Sequence, residues 1–240
     1  MKKYLFVLFG MVLIFSCKEN QQEEVKTTIE KEAVPDYIIH EEYSGTEPTK
    51  PEETEVYKPI PPTVTPAKNN AAPSDAIVLF DGSDLNEWES AGEGNKPAPW
   101  ILNSEEGSVT VKDKSGNIRT KRKFGSVQLH IEWRSPAKIN NKGQNRGNSG
   151  VFIQERYEVQ ILDNNDNDTY VNGQVASIYK EHIPLAKASV PSGEWNTYDI
   201  IYHAPTFNAD GRKTKSGTIT VLHNNVLVQD HVEIKGTTQF

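Results

Sequence analysis

From Ala76 onward the chain is a succession of short runs of β-branched and aromatic residues, each closed by glycine, asparagine, aspartate or proline. The runs cover residues 77–80, 108–111, 127–134, 150–153, 157–162, 198–203 and 218–222. No stretch carries a long 3.6-residue apolar period, and no segment repeats. Runs of this length, separated by turn residues, specify an all-β sandwich rather than alternating strands and helices. Asn224-Asn225 before Val226-Leu227-Val228 predicts a two-residue hairpin turn. The roughly 165 residues of this region are ample for one core.

The chain before Ala76 is a different polymer. Residues 18–75 hold 13 Asp or Glu, 6 Lys and 8 Pro and few large apolar side chains. Such a segment buries too little surface to offset its ordering entropy, and its prolines favour extended backbone. It reads as a disordered acidic tether, with Tyr37-Ile38-Ile39 an incidental apolar island. Ahead of it, Lys2 and Lys3 precede an apolar run that ends in Ser16-Cys17. This is the layout of a bacterial secretion signal, too short to span a bilayer comfortably. Ile14-Phe15-Ser16-Cys17 resembles a lipobox, so Cys17 is the expected lipidation site and first mature residue. The expected location is the bacterial cell envelope, with the membrane reached through that lipid. Cys17 is the only cysteine, so the mature domain has no disulfide and depends on its packed core. Residues 76–240 carry 20 acids and 18 bases; nothing concentrates the basic patch that nucleic-acid binding requires.

Strand parity selects the candidate functional residues. Side chains alternate between faces along a strand. In 127–134, Gln128, His130, Glu132 and Arg134 share one face, and Val127, Leu129, Ile131 and Trp133 the other. In 198–203, Asp199 and His203 oppose Tyr198, Ile200 and Tyr202. The runs flanking Gln154-Glu155-Arg156 form a strand pair, and on its second strand Glu158 and Gln160 face one way. Asp163 has the wrong parity to join them unless a β-bulge shifts it. These ionisable and amide groups suit directed contacts with sugar hydroxyls and proton transfer better than a plain solvated face does. The bland alternatives are a Glu132–Arg134 ion pair, a simple turn at Asn148-Ser149-Gly150, packing roles for Trp88, Trp133 and Trp195, a solvent-facing His223 and an idle loop His182.

Longer motifs run through the same region. Leu79-Phe80-Asp81-Gly82 with Leu85 and Trp88, Gly116-Asn117-Ile118-Arg119-Thr120, Phe124-Gly125, His130-Ile131-Glu132-Trp133-Arg134, Gly147-Asn148-Ser149-Gly150-Val151-Phe152, Tyr157-Glu158-Val159-Gln160-Ile161-Leu162-Asp163, Gly193-Glu194-Trp195-Asn196 and Val221-Leu222-His223-Asn224 follow in order. From about residue 77 to the end, the chain resembles the 3-keto-disaccharide hydrolase family. The resemblance implies a concanavalin-A-like two-sheet jelly roll over 76–240. It implies cleavage of glycosides whose sugar carries a 3-keto group, made by a partner glycoside 3-oxidoreductase. It also implies a closing strand beyond Phe240, which this chain is expected to lack.

A 3-keto group acidifies the C2 proton, so a base can remove it and the C1 substituent can leave by elimination. Glu158 is the first candidate for acid or base, followed by Glu132 and His130. Arg134 is assigned to the enolate oxygen. Asn148, Ser149, Gln160, Asp163, Asp199 and His203 are assigned to substrate hydroxyls. All of these are expected in one cleft, with Glu132, Arg134, Glu158, Gln160 and His203 on one sheet face. No motif specifies a cofactor. A divalent metal ion is an expectation without a located site, with His130 and Glu132 offering two ligands at i, i+2 spacing. Residues 163–168 lack the Gly and Glu of a calcium loop and read as a polar turn. Two other functions use the same surface: a non-catalytic sugar-binding module, and a conventional retaining glucanase with Glu158 and Asp163 as its carboxylate pair.

Overall fold

The computed structural model describes residues 47–68, 71–92 and 96–238. Cys17, the apolar run before it and Tyr37-Ile38-Ile39 lie outside the described residues. The chain divides into two units, with a boundary at Val64 and Thr65. In the first, residues 47–64 are all exposed, and their one regular element is a 3₁₀ turn, Pro51–Thr54. The second unit begins at Thr65 rather than at Ala76. Thr65 and Ser74 are joined by Ser74 N–H to Thr65 O (3.1 Å) and Thr65 N–H to Ser74 Oγ (2.9 Å). Ala72 packs against the hydrophobic core. The described residues between Thr65 and Ser74 have the composition of the tether but belong to the second unit.

The main sheet is antiparallel and has the order β12–β11–β8–β5. Its strands are β5 (Val127–Trp133), β8 (Asn196–His203), β11 (Thr218–His223) and β12 (Val226–Glu233). Opposite it packs the hairpin of β6 (Ser149–Ile153) and β7 (Tyr157–Ile161). The segment after it joins β7 through a bridge between Val159 and Ile178. Short ribbons complete the fold: β1 (Trp88–Ser90) with β4 (Ile118–Thr120), β2 (Ile101–Asn103) with β3 (Ser108–Thr110), and β9 (Thr206–Phe207) with β10 (Lys213–Lys215). The result is the two-sheet β-sandwich of the concanavalin-A-like class.

Alternation builds the core. Leu129, Ile131 and Trp133 of β5, Tyr198, Ile200 and Tyr202 of β8, and Ile219 and Val221 of β11 meet Val151, Ile153, Val159 and Ile161 of the hairpin. Two hydroxyls reach across this core: Tyr198 donates to the Gln160 carbonyl (2.7 Å) and Tyr202 to Gln154 Oε1 (2.9 Å). Both sharp turns use the left-handed backbone that suits tight hairpins. Asn224 and Asn225 have φ of 51° and 65°, Gln154 and Glu155 of 54° and 56°. Residues 77–80 depart from the expected strand. Ile77 and Val78 are exposed while Leu79 and Phe80 are buried, and the Leu79 carbonyl accepts from the Trp88 indole (2.7 Å) instead of a neighbouring strand.

His223 is not solvent-facing. It points into the core, fully buried, beside Trp133 and Tyr198, with Nε2 2.9 Å from Asn196 Oδ1. Burial pushes its pKa down to about 4. The unfolded value is about 6.5, so the unfolded chain binds more protons between those two values. The contribution to stability is therefore complete above about pH 6.5 and is lost as the pH falls toward 4. The shift corresponds to roughly 3 kcal/mol. In urea unfolding of wild type and His223→Gln, the difference should move in the variant's favour by up to about that amount between pH 7 and 4.5. A pH-independent difference would show that the folded chain binds this proton freely.

Candidate functional site

The core divides the candidate residues between two opposite faces, which corrects the expectation of a single cleft. Glu132, His130, Asp199 and His203 lie on the outer face of the main sheet, because their strand neighbours fill its inner face. Glu158 and Gln160 lie on the outer face of the hairpin, because Val159 and Ile161 fill the inner one. The parity on each strand is as expected; the two polar faces turn away from each other.

The hairpin face is the more constrained. Gly150 and Phe152 pair with Gln160 and Glu158. On the other side of β7, Tyr179 N–H donates to the Glu158 carbonyl and Gln160 N–H to the Ser177 carbonyl, both at 3.0 Å. This register sets Tyr179 beside Glu158 and Ser177 beside Gln160. Glu158 is 5% exposed, and Gln160 and Ser177 are 0% exposed. Among the described residues, Glu158 Oε2, Gln160 Oε1 and Ser177 Oγ have no hydrogen-bond partner. Buried polar atoms are almost always satisfied. Three orphaned atoms on one face therefore single it out as the candidate site. Gly150 makes room for the Glu158 side chain itself: a Cβ there would fall 2.8 Å from Glu158 Cγ and 2.9 Å from Cδ.

Electrostatics tunes this carboxyl. Burial raises the Glu158 pKa to about 7, and the Lys180 ammonium opposes that rise. The Lys180 Nζ lies 5.3 Å from the Tyr179 ring centroid. The Tyr179 hydroxyl contacts that of Tyr170, and burial, this contact and the Glu158 charge push its pKa up to about 12. Gln160 Nε2 donates to Gln144 Oε1 (3.0 Å), and Gln144 Nε2 to the Gly173 carbonyl (2.7 Å). Asn148 Nδ2 donates to the Gln144 carbonyl (2.7 Å), which ties the Asn148 turn to the same network. Ser149 pairs with Ile161, on the other parity, and is exposed. Sequence reasoning missed Gln144, Ser177, Tyr179 and Lys180. They sit in a 3₁₀ turn (Gly143–Asn145), in loops or beside an isolated bridge, where no periodic pattern marks a face.

Asp163 does not join Glu158. The β6–β7 register runs unbroken, without the bulge that would turn Asp163 around. Its carboxylate instead accepts from Arg146 Nε (3.0 Å), Ser192 Oγ (2.7 Å), Asn165 N–H (3.1 Å) and Asn165 Nδ2 (3.2 Å). Burial alone would raise its pKa, but bonds from Ser192, Asn165 and Arg146 outweigh that and hold it below the usual range. Asp163 is thus engaged in a buried ion pair and a loop network. Asn164 and Asn167 donate their amides to the Asn167 and Asp163 carbonyls of the same turn, and Asn164 Oδ1 accepts from Val175 N–H.

On the main-sheet face, His130 Nδ1 lies 2.7 Å from Asp199 Oδ1, and both side chains are about 40% exposed (41% and 43%). The Asp199 bond raises the His130 pKa against its burial. Arg134 is paired not with Glu132 but with Glu106, through contacts of 2.6 and 2.7 Å, and its guanidinium lies 4.8 Å over the Trp195 ring. Its guanidinium is thus engaged by Glu106 and Trp195. His203 is exposed, its ring 6.0 Å from that of His231. Trp88 and Trp133 are core residues. Among the described residues, no group of three or more His, Cys, Asp or Glu side chains is placed to hold a metal ion, so His130 and Glu132 find no completing ligand of those types.

Comparison with known proteins follows the geometry. No curated protein matches the sequence. A candidate glycosyl hydrolase from Parabacteroides distasonis ATCC 8503, solved by crystallography at 2.13 Å, is 50% identical, with a TM-score of 0.75 over 82% of this chain and 84% of its own. A second candidate glycosyl hydrolase from that organism is 18% identical, with a TM-score of 0.46 over 63% of this chain and 70% of its own. That similarity is too low to bear on the reading. Residues 75–240 match the 3-keto-alpha-glucoside-1,2-lyase-like domain. With the sandwich and the half-identical crystal structure on one side, and a match over residues 75–240, well over half of the chain, on the other, the chain belongs to the family of 3-keto-alpha-glucoside-1,2-lyase-like domains.

Proposed function

We propose that the protein cleaves 3-keto-glycosides, with Glu158 as the base that removes the C2 proton. The observation that carries this reading is the buried Glu158 carboxyl with one oxygen unpaired and a pKa of about 7. A group that titrates near the operating pH can accept a proton and return it. Removal of the C2 proton leaves its electron pair on the enolate, C2=C3–O⁻. Collapse of the enolate forms the C1=C2 bond, restores the C3 carbonyl and expels the C1 oxygen with the aglycone. Water then adds at C1, and C2 takes a proton, to give the free 3-keto sugar. Lys180, the cation beside Glu158, takes the enolate role that the sequence suggested for Arg134. Gln160 Oε1 and Ser177 Oγ accept from sugar hydroxyls. The substrate must come from a reaction that oxidises a C3 hydroxyl, hence from a glycoside 3-oxidoreductase.

The test is turnover in D₂O with a 3-keto-glucoside and with the same glucoside unoxidised. The oxidised substrate should be cleaved and its product should carry deuterium at C2; the unoxidised one should persist. Cleavage of both with no deuterium at C2 would return the protein to ordinary glycosidase chemistry, in which the bond breaks at C1 alone.

A further inference from the structure

A cleft of about 890 Å³ opens on the outer face of β5, β8 and β11, across the core from Glu158. Its floor presents Gln128, His130, Glu132 and Asp199 beside Ile201 and Leu222, and its wall is the segment that includes Ala72 and Ile77. We propose that this cleft is a second carbohydrate site, for an uncharged glycan chain, separate from the Glu158 site.

Size and composition both point that way. Small-ligand sites occupy about 300–1,000 Å³ and combine apolar surface with a few converging polar groups. Here a polar strip along β5 and Asp199 runs next to an apolar strip of Ile77, Ile201 and Leu222. A sugar ring has the matching anatomy, with C–H faces for the apolar strip and hydroxyl edges for the polar one. Among the described residues, no Lys or Arg lines the cleft, so an anionic sugar or a phosphate finds no counter-charge there. A cation is not the best fit either. The Asp199 carboxylate is already held by His130 at 2.7 Å, which leaves Asp75 and Glu132 at separate points of the lining rather than a focused negative centre. The wall is built rather than incidental. It is closed by the paired Thr65 and Ser74, is anchored through Ala72 in the core, and lies largely ahead of the family-matched residues.

The experiment uses the full chain carrying Glu158→Gln, which stops turnover, and titrates it with cellotetraose by NMR. Saturable binding is expected, with shifts at the Gln128, Ile201 and Leu222 amides. Ile77→Asp, at an exposed position, and Asp199→Asn should each weaken it by roughly tenfold or more. Gln160→Ala should leave it unchanged. A melting curve for each variant confirms that the fold is kept. The proposal is overturned if cellotetraose does not bind at millimolar concentration, or if Gln160→Ala abolishes binding while the two cleft variants do not. It is overturned equally if a galacturonate tetramer binds as tightly, or if a glucosamine tetramer binds much more tightly, which would make the cleft a cation site.

Discussion

Replacing Glu158 with glutamine lowers turnover of a 3-keto-glucoside by about 10²–10⁴-fold, the usual cost of losing a positioned base, and makes the folded domain more stable above neutral pH. The two effects share one cause. Glutamine keeps the shape of the side chain but neither takes the C2 proton nor carries a buried charge. In the wild type the folded pKa of about 7 lies above the unfolded value, the ordinary 4.5. The folded protein binds the extra proton between these values, so stability is lost as the pH rises from 4.5 through 7. Above that window the ionised carboxylate costs up to about 3 kcal/mol. Thermal melts of Glu158→Gln and wild type should therefore diverge in the variant's favour as the pH rises, opposite in sign to the His223 effect. A structural carboxylate would show destabilisation in the variant at every pH. If Glu158→Gln keeps its activity and His130→Asn loses it, the chemistry belongs to the main-sheet face.

Asp163→Ala destabilises the domain by about 3–5 kcal/mol, because it leaves the Arg146 guanidinium buried without its partner. Both side chains are under a tenth exposed, and the carboxylate also gathers the Ser192 and Asn165 donors that fasten three loops together. The folded pKa lies below the ordinary 3.8. This contribution is thus complete above about pH 4 and fades as the pH falls further. Denaturant unfolding at pH 7 measures the loss. A change below about 1 kcal/mol, the range of exposed ion pairs, would show that Asp163 is solvated and free to serve the reaction instead.

Alternation along single strands was legible in the sequence. It assigned Leu129, Ile131, Tyr198 and Ile200 to one face and Glu158, Gln160, His130 and Asp199 to the polar ones, because a period of two is a local property. The Asn224-Asn225 turn was legible for the same reason: the conformation belongs to those two residues. The short ribbons β1, β2, β4, β9 and β10 were not, since two or three residues carry no period. Nor was the burial of His223, which depends on the register of β11 against β8.

The sequence by itself determined the all-β class and the inward and outward side of β5, β7 and β8. Only the tertiary structure decided which outward faces look at each other. Parity states that a side chain leaves the core, but not on which side of the sandwich it emerges, so Glu132 and Glu158 looked alike in sequence and stand on opposite surfaces. The same limit hid the partners of each group. Arg134 went to Glu106 and Asp163 to Arg146, while Ser177, Tyr179 and Lys180 came to Glu158 through a bridge that no local pattern announces. Pairing between distant segments is set by packing of the whole core, and packing is what turns a buried carboxyl into one that titrates near neutral pH.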